Sequence, residues 1–393
     1  MDRAGRLSLT EWAAVAAVAA SAPFPLPAPP PAARPPRIPA TLRDVSKREW
    51  LAQTLDKLGA FNGVMQLRRL TRTPWLTVIS YHRIGSQESD SSPTTPRDFD
   101  PGVIDASESE FDRQMAYFAR HFNVIGIDDL CVALAGGHQP PNAALITFDD
   151  GYLACHTTAL PILQKHHLRA VFFIATRFVA ERRMFWWDRV GRAVRRAAGR
   201  SIRLDYPEPI ELPTSTDAQQ TVALHRLLRV IKSRPGLDIE KYLGRIEDAA
   251  GAPLSLEEER ATVDGIIMTW DHIRALADAG MDIGSHTRTH RVLQTLSTPE
   301  LDDELRGSRT ELERQVGKPV RSLAYPVGYT VLDRPELVAA VERAGYQVAF
   351  SNATGLNTTL RPHRLDVRRV ATDYGISDAM FKAEVTLPRW GTQ

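Results

Sequence analysis

Short runs of consecutive apolar residues alternate along most of the chain with longer stretches in which apolar residues recur every three or four positions. An apolar run bounded by turn residues is typical of a strand buried on both faces, and the wider spacing is typical of an amphipathic helix. Helices between the runs indicate the α/β class and a distorted (β/α)7-8 barrel. The runs predict seven strands and a candidate eighth, at residues 75–81, 122–127, 143–148, 170–175, 281–283, 320–325, 346–351 and 366–370.

Three parts of the chain depart from this alternation. Residues 1–41 join an apolar, alanine-rich stretch at 12–22 to a proline-rich spacer, which predicts a disordered or leader segment. Residues 42–74 carry apolar residues at helical spacing and predict a helical lead-in. Residues 75–393 form the predicted barrel domain, interrupted at 181–264 by a charged insertion of helical character.

The apolar stretch near the N-terminus has two interpretations. It ends in Ala20-Ser21-Ala22, which resembles a signal-peptide cleavage site, whereas Glu11 at its edge argues against a signal peptide and favours a disordered segment. The stretch is too short to cross a bilayer, so no transmembrane span is predicted. A cytoplasmic location is favoured over export on this basis.

The composition narrows the range of partners. The 393 residues carry a formal net charge of +2, which indicates no polyanion-binding surface, so nucleic acid is not a predicted partner. The two cysteines, Cys131 and Cys155, lack CxxC spacing, which argues against a disulfide framework and against a thiolate zinc site. The sequence indicates no oligomeric state.

One apolar run, at residues 143–148, stops at two adjacent carboxylates, Asp149 and Asp150, followed by Gly151. In α/β barrels and open parallel sheets, ligands bind at the carboxyl ends of the strands, because the loops there meet in one crevice. Two neighbouring carboxylates repel each other, and a cation or a shared proton relieves that repulsion. The pair therefore predicts a cation site at the barrel mouth.

Two histidines four residues apart, His286 and His290, follow the predicted strand at 281–283. Both imidazoles can reach one ion from such a spacing, and a carboxylate supplies a third ligand. Two histidines and one carboxylate leave coordination positions open for water. Zinc is the metal expected at such a site, and cobalt or nickel also fits.

Three stretches carry a resemblance to a known family. The stretches 147–152 (TFDDGY), 285–290 (SHTRTH) and 323–328 (LAYPVG) resemble the first three motifs of the polysaccharide deacetylases, the NodB-homology esterases of carbohydrate esterase family four. The resemblance implies a barrel that removes N-acetyl groups from amino sugars. We assign Asp150, His286 and His290 as metal ligands, and the resemblance implies that Asp149 is the general base.

Two histidines compete for the role of proton donor. The pair Tyr81-His82 follows the first predicted strand and is similar to a pair in the exopolysaccharide-associated branch of the family, where the histidine serves as general acid. His363 is the rival, because the late family motifs are absent and it is the histidine nearest their place. The polar residues 85–105 predict a long loop over the mouth.

The third motif suggests how the substrate carbonyl is bound. The resemblance implies that the backbone amide of Val327 completes the oxyanion hole, with Tyr325 beside it in the substrate site. The arginine that orients the base in the fuller motif is replaced by Ala324, a departure shared with the exopolysaccharide branch. Arg368 could take over that role, although an arginine pair is more often a solvated face.

These residues support one hypothesis and leave two alternatives open. The hypothesis is a metal-dependent hydrolase that removes N-acetyl groups from an N-acetylhexosamine-containing polysaccharide or oligosaccharide of exopolysaccharide type, so that the partner is a carbohydrate substrate. The alternatives are hydrolysis of another non-peptide C–N bond and a non-catalytic glycan-binding protein on the same fold. The aromatic run Phe185-Trp186-Trp187 at the start of the insertion is either a sugar-stacking wall or a packing element.

Overall fold

The computed structural model describes residues 42–85, 101–358 and 362–387. The predicted leader at 1–41 lies outside the described residues, as does most of the predicted loop, at 86–100. Within the described part of the chain, no helix is both long enough and apolar enough to cross a membrane.

The predicted α/β barrel is confirmed, since eight parallel strands form a nearly closed barrel with helices around it. Around the barrel the strand order is β12, β11, β10, β9, β6, β5, β1 and β13, and β4 pairs with the start of β5. The strands are β1 (Leu76–Tyr81), β2 (Arg83–Ile84), β3 (Ile104–Ala106), β4 (Asn123–Val124), β5 (Ala143–Phe148), β6 (Val171–Ile174), β7 (Ser201–Leu204), β8 (Ile210–Pro213), β9 (Asp282–Ser285), β10 (Ser322–Ala324), β11 (Val348–Ser351), β12 (Val367–Arg368) and β13 (Val370–Ala371).

A single segment, residues 367–371, completes the barrel. Its first strand, β12, pairs with β11 at one end of the sheet, where Val367 lies opposite Phe350. Its second strand, β13, pairs with β1 at the other end, where Val370 lies opposite Ile79. Arg369 stands between the two pairings, so one residue occupies the seam of the barrel.

The barrel core follows from the apolar runs. Every residue of β1 and of β5 is buried, as expected of strands covered on both faces. Leu145 is fully buried in this core, so Leu145→Ala would cost about 2–5 kcal/mol. The core cluster consists of Leu76, Val78, Ile125, Ile127, Leu130, Ala143, Leu145, Val171, Phe173, Ala324, Val348, Phe350 and Val367.

Polar caps fix several helix starts around the barrel. Ser107 and Glu110 form a capping box at the start of helix Glu108–His121, and the Thr269 hydroxyl accepts a hydrogen bond from the His272 amide at the start of helix Trp270–Asp278. The helices are Leu42–Lys57, Ala60–Leu70, Glu108–His121, Ile127–Leu134, Leu160–Lys165, Thr176–Glu181, Trp186–Arg196, Asp217–Ser233, Ile239–Ala250, Leu256–Asp264, Trp270–Asp278, Thr298–Asp302, Ser308–Val316, Pro335–Arg343 and Asp378–Thr386.

Two predicted helices contain a π-helical turn. Helical spacing predicts one helix over 298–316, but the turn Asp303–Gly307 within it is π-helical. The helix predicted at 153–166 likewise begins with the π-helical turn Cys155–Ala159. Such turns are rare and often mark functional sites, because they displace side chains from regular helical positions.

Residues Met184–Glu259 form a compact unit of their own. Its helices agree with the helical character of the sequence, but strands β7 and β8 form an antiparallel hairpin that the sequence does not predict. Within the unit, the buried Arg189 pairs with Glu240 and Glu247.

Candidate active site

The two carboxylates at the end of β5 are buried where the chain turns. Asp149 and Asp150 are 1% and 2% exposed. The Asp149 amide continues the sheet by donating to the Tyr81 carbonyl at 2.8 Å. Asp150 has a φ of 75°, a left-handed conformation that is costly for residues other than glycine and is found most often at functional sites.

Asp150, His286 and His290 lie together and could hold a metal ion, and we call them the ligand set. Their candidate ligand atoms all lie within 4.8 Å of one another. The Nε2 atoms of both histidines lie 3.5 Å from Asp150 Oδ1. All three residues are buried, so the set is shielded from bulk water.

The donor atoms of the ligand set fit a divalent cation. Among the described residues, the buried Asp150 Oδ1 has no hydrogen-bond partner. His286 Nδ1 donates to the Ala324 carbonyl at 2.8 Å, which leaves the Nε2 lone pair for a metal. Burial lowers the pKa of His286 to about 4, so the imidazole is neutral, as a ligand must be.

The pKa of Asp150 is raised to about 7, first by burial and then by the neighbouring Asp149, against the opposing effect of His82. A bound cation would stabilise the ionised form of Asp150 and would lower this pKa again. The buried oxygen without a hydrogen-bond partner and the two imidazoles therefore fit a divalent cation.

A buried carboxylate holds the loop between the two histidines. Glu304 is 4% exposed and lies in the π-helical turn. Its Oε2 accepts hydrogen bonds from the amides of Arg288 at 2.8 Å and Thr289 at 2.9 Å, and its Oε1 accepts one from the Thr289 hydroxyl. The Thr287 hydroxyl in turn accepts from the His290 amide at 3.2 Å. These contacts fix the backbone that presents both imidazoles.

Arg369, at the seam of the barrel, forms a bidentate ion pair with Asp149. Its Nη1 and Nη2 donate to Asp149 Oδ1 and Oδ2 at 2.7 and 2.8 Å, and both side chains are 1% exposed. Its Nε donates to Asn352 Oδ1 at 3.0 Å. Burial acts to raise the pKa of Asp149, but the charge of Arg369 holds it well below its usual range. Asp149 is therefore ionised although it is buried.

His82 faces Asp149 and is held by a carboxylate on its other side. Its Nε2 lies 4.0 Å from Asp149 Oδ2, and its Nδ1 lies 3.2 Å from Asp105 Oδ2, which also accepts from the His82 amide. Burial acts to lower the pKa of His82, but Asp105 raises it to about 10, so the ring is an imidazolium at neutral pH. We call Asp149, Arg369, His82 and Asp105 the Asp149 network.

Comparison with protein families shows a match to the family model "Polysaccharide deacetylase" over residues 136–203 and 243–349. The chain belongs to the polysaccharide deacetylase family. Its members are hydrolases that act on C–N bonds. The matched residues contain Asp149 and the whole ligand set, whereas His82, Asp105 and Arg369 lie outside them.

Comparison with solved structures finds several similar chains. The Streptococcus pyogenes deacetylase PplD, solved with acetate, has a TM-score of 0.51 and 14% identity over 80% of this chain and 99% of that one. A polysaccharide deacetylase from Bacillus cereus has a TM-score of 0.49 and 16% identity over 79% of this chain and 69% of that one. IcaB from Ammonifex degensii has a TM-score of 0.46 and 19% identity over 79% and 97%. No curated protein matches the chain.

Of the two candidate proton donors of this deacetylase, only His82 contacts the site in the described residues. His363 is exposed, and its Nδ1 accepts a hydrogen bond from the Leu365 amide. The arginine that contacts Asp149 is Arg369, whereas the predicted Arg368 is exposed. The sequence does not distinguish the two arginines. In a strand, alternation counted from Val367 predicts that Arg369 is buried, whereas alternation counted from Val370 predicts that Arg368 is buried.

The third deacetylase motif forms a tight turn in which Val327 has a φ of 61°. Such a φ is unfavourable for a β-branched residue and singles Val327 out. The next residue must be glycine, because a Cβ at Gly328 would lie 2.3 Å from the Asn352 Cβ. Asn352 thus packs against this turn while it also binds Arg369.

Tyr325 is predicted beside Val327 in the substrate site, but both of its hydrogen-bond donors bind backbone carbonyls of the barrel domain. Its hydroxyl donates to the Leu365 carbonyl at 2.9 Å and its amide to the Phe350 carbonyl at 3.0 Å. The residue is 1% exposed. Tyr325 therefore stabilises the backbone of the motif. Of the two residues, only Val327, through its backbone amide, remains a candidate donor to the oxyanion.

The aromatic run at the start of the insertion is buried. Phe185 stacks on Trp187 with ring centroids 4.5 Å apart, and Trp186 meets Trp187 edge to face at 4.8 Å. The three residues are 0%, 4% and 6% exposed. Their ring faces are covered, which favours the packing interpretation over a sugar-stacking wall.

Proposed function

We propose that this deacetylase-family chain is a metal-dependent N-deacetylase that acts on an N-acetylhexosamine-containing glycan of exopolysaccharide type. The observation that carries the proposal is the buried ligand set beside an Asp149 that Arg369 keeps ionised. The exopolysaccharide assignment is supported by the Tyr81-His82 pair and by Ala324 in place of the motif arginine.

Asp150, His286 and His290 would hold the metal, with zinc the first candidate. A divalent ion bound there would supply a water of lowered pKa and would polarise the substrate carbonyl. Asp149 is the general base in this proposal. Because Arg369 makes Asp149 a weak base, Asp149 can remove a proton only from a water whose pKa is already lowered. The proposed reaction therefore needs both the metal in the ligand set and the ionised Asp149.

His82 is the general acid in this proposal. Its pKa of about 10 keeps it protonated at neutral pH, and Asp105 fixes its Nδ1 so that Nε2 faces Asp149. Protonation of the departing amine requires a donor that still holds its proton and lies within hydrogen-bond reach of the leaving nitrogen. The Val327 amide would stabilise the oxyanion that forms at the acetyl carbon.

Acetate release by the purified full-length protein tests the proposal. The substrates are N-acetylglucosamine oligomers, and the protein is assayed after chelation and again after zinc or cobalt is added back. We expect release to disappear with chelation and to return with metal. Metal binding without acetate release from any glycan would contradict the proposal. In that case, binding of the oligomers would favour a glycan-binding protein, and turnover of small amides or ureides would favour another C–N hydrolase.

A further inference from the structure

The two N-terminal helices, Leu42–Lys57 and Ala60–Leu70, expose an unusual amount of apolar side chain. Eight large hydrophobic residues are exposed in the described part of the chain; four of them lie on these helices and a fifth, Leu58, lies in the turn between them. The other three, Val132, Leu256 and Leu332, are scattered. We call the five the N-terminal apolar surface: Trp50 (67% exposed), Leu51 (41%), Leu58 (77%), Leu67 (60%) and Leu70 (81%).

The exposed residues lie opposite the faces that hold the helices to the barrel domain. Ala52 and Phe61 are buried against Ala379 and Ala383 of the C-terminal helix Asp378–Thr386. Both N-terminal helices pack on this one helix, so their outer faces both point away from it. Leu67 and Leu70 are three residues apart and lie on the same helix face. Packing within the fold therefore does not account for the outer apolar side chains.

On the same helices, acidic side chains face the C-terminal helix, whereas several basic side chains are exposed. Both acidic residues with described side chains face the C-terminal helix: Glu49 accepts from the Ser377 hydroxyl at 2.6 Å, and Asp56 pairs with Lys382 at 2.8 Å. The exposed cations nearby are Lys47, Lys57, Arg69 and Arg72. The outer face thus presents tryptophan and leucine side chains among positive charges.

We propose that the N-terminal apolar surface docks the protein on an anionic phospholipid bilayer. Interfacial helices combine leucine and tryptophan, which enter the boundary between headgroups and acyl chains, with lysine and arginine, which bind anionic headgroups. A second copy of the chain would bring two positively charged faces together. The apolar stretch at residues 12–22 could cover the leucines but contains no acidic residue to balance the cations.

Vesicle flotation with the full-length protein tests this docking. We expect binding to phosphatidylcholine vesicles that contain phosphatidylglycerol, with much less binding to phosphatidylcholine alone and a decrease as salt is raised. Trp50→Ser combined with Leu67→Ser should weaken binding by about tenfold or more, because two apolar anchors are lost. Lys57→Glu combined with Arg69→Glu should abolish the preference for phosphatidylglycerol.

Leu256→Ser is the matched control, since Leu256 is 62% exposed but lies outside the surface. It should bind vesicles as the wild type does. All these positions are exposed, so thermal unfolding should confirm that each variant is folded. Failure of the wild type to bind anionic vesicles at low salt would overturn the proposal, as would undiminished binding by the Trp50/Leu67 variant. A concentration-dependent dimer that the same two substitutions abolish would also overturn it, in favour of a second copy.

Discussion

The ligand set and the Asp149 network meet at one barrel mouth but are assembled in different ways. The ligand set comes from two short stretches, Asp150 after β5 and the histidines after β9. The Asp149 network draws on four separate places in the chain, with Asp105 in β3 and Arg369 between β12 and β13. Only Asp149 of that network lies within the residues matched by the family model.

The difference shows which parts of such a site are local in sequence. Metal ligands on one loop must keep a fixed spacing, so they form a recognisable motif. A charged residue that tunes the pKa of a carboxylate needs only to reach it in space, so any strand that ends at the mouth can provide it. The two groups should therefore respond differently to substitution: changes in the ligand set affect metal binding, and changes in the network affect turnover.

The largest expected effect is that of Asp149→Asn. Loss of the general base should reduce acetate release by about 10²–10⁴-fold, while metal content stays at the wild-type level. Asp150→Asn is the matched variant, one residue away, and it should lose metal as well as activity. Metal analysis beside the acetate assay separates the two. Full activity in Asp149→Asn would remove the base assignment.

Arg369→Met should have the next largest effect. It leaves Asp149 buried without a partner, so the free energy of unfolding should fall by about 3–5 kcal/mol and turnover should drop, with metal still bound. Urea unfolding and acetate release measure the two effects. The double variant Asp149→Asn/Arg369→Met should recover part of the stability, since it no longer contains the unpaired buried carboxylate of Asp149. Arg368→Met, at the exposed neighbour, should stay within about 0.5 kcal/mol of the wild type.

Glu304→Gln should act on the ligand set alone. Weaker hydrogen bonds to the Arg288 and Thr289 amides should loosen the histidine loop and weaken metal binding by about 10–100-fold, with near-normal turnover at saturating metal. Titration with cobalt, followed by its visible absorption, measures the affinity directly. Asp303→Asn is the control, because the exposed Asp303 binds the Arg288 side chain at the surface. Equal losses in both variants would contradict a role for Glu304 in positioning the loop.

The smallest effect at neutral pH is expected for Asp105→Asn, which should instead change the pH profile. The protonated form of His82 is the active donor, so activity is lost as pH rises through its pKa of about 10. Without the charge of Asp105 that pKa should fall, and the alkaline limit of kcat/KM should move to lower pH. Asp112→Asn removes a half-buried carboxylate that pairs with Lys165, and it should leave the limit unchanged. An unchanged limit in Asp105→Asn would remove His82 from the role of acid.

The barrel and the ligand residues could be predicted from the sequence because each depends on local pattern. The strand at Ala143–Phe148 matches its prediction residue for residue, since a short and mainly apolar run bounded by turn residues is typical of a buried strand. Asp105 and Glu304 could not be predicted: the first lies at the end of a stretch that reads as polar loop, and the second lies in a helix whose π-helical turn leaves no mark on apolar spacing. Asn352 is equally hidden, because its role depends on Arg369 and Gly328, which approach from other strands.

The position of Arg369 at the seam of the barrel couples the chemistry to completion of the fold. Since residues 367–371 pair with β11 on one side and β1 on the other, a chain cut or stalled before this segment keeps all three metal ligands and loses the guanidinium that charges Asp149. In the proposed mechanism such a molecule would lack an ionised base. Hydrolytic activity would therefore begin only when this last segment has paired with both edges of the sheet.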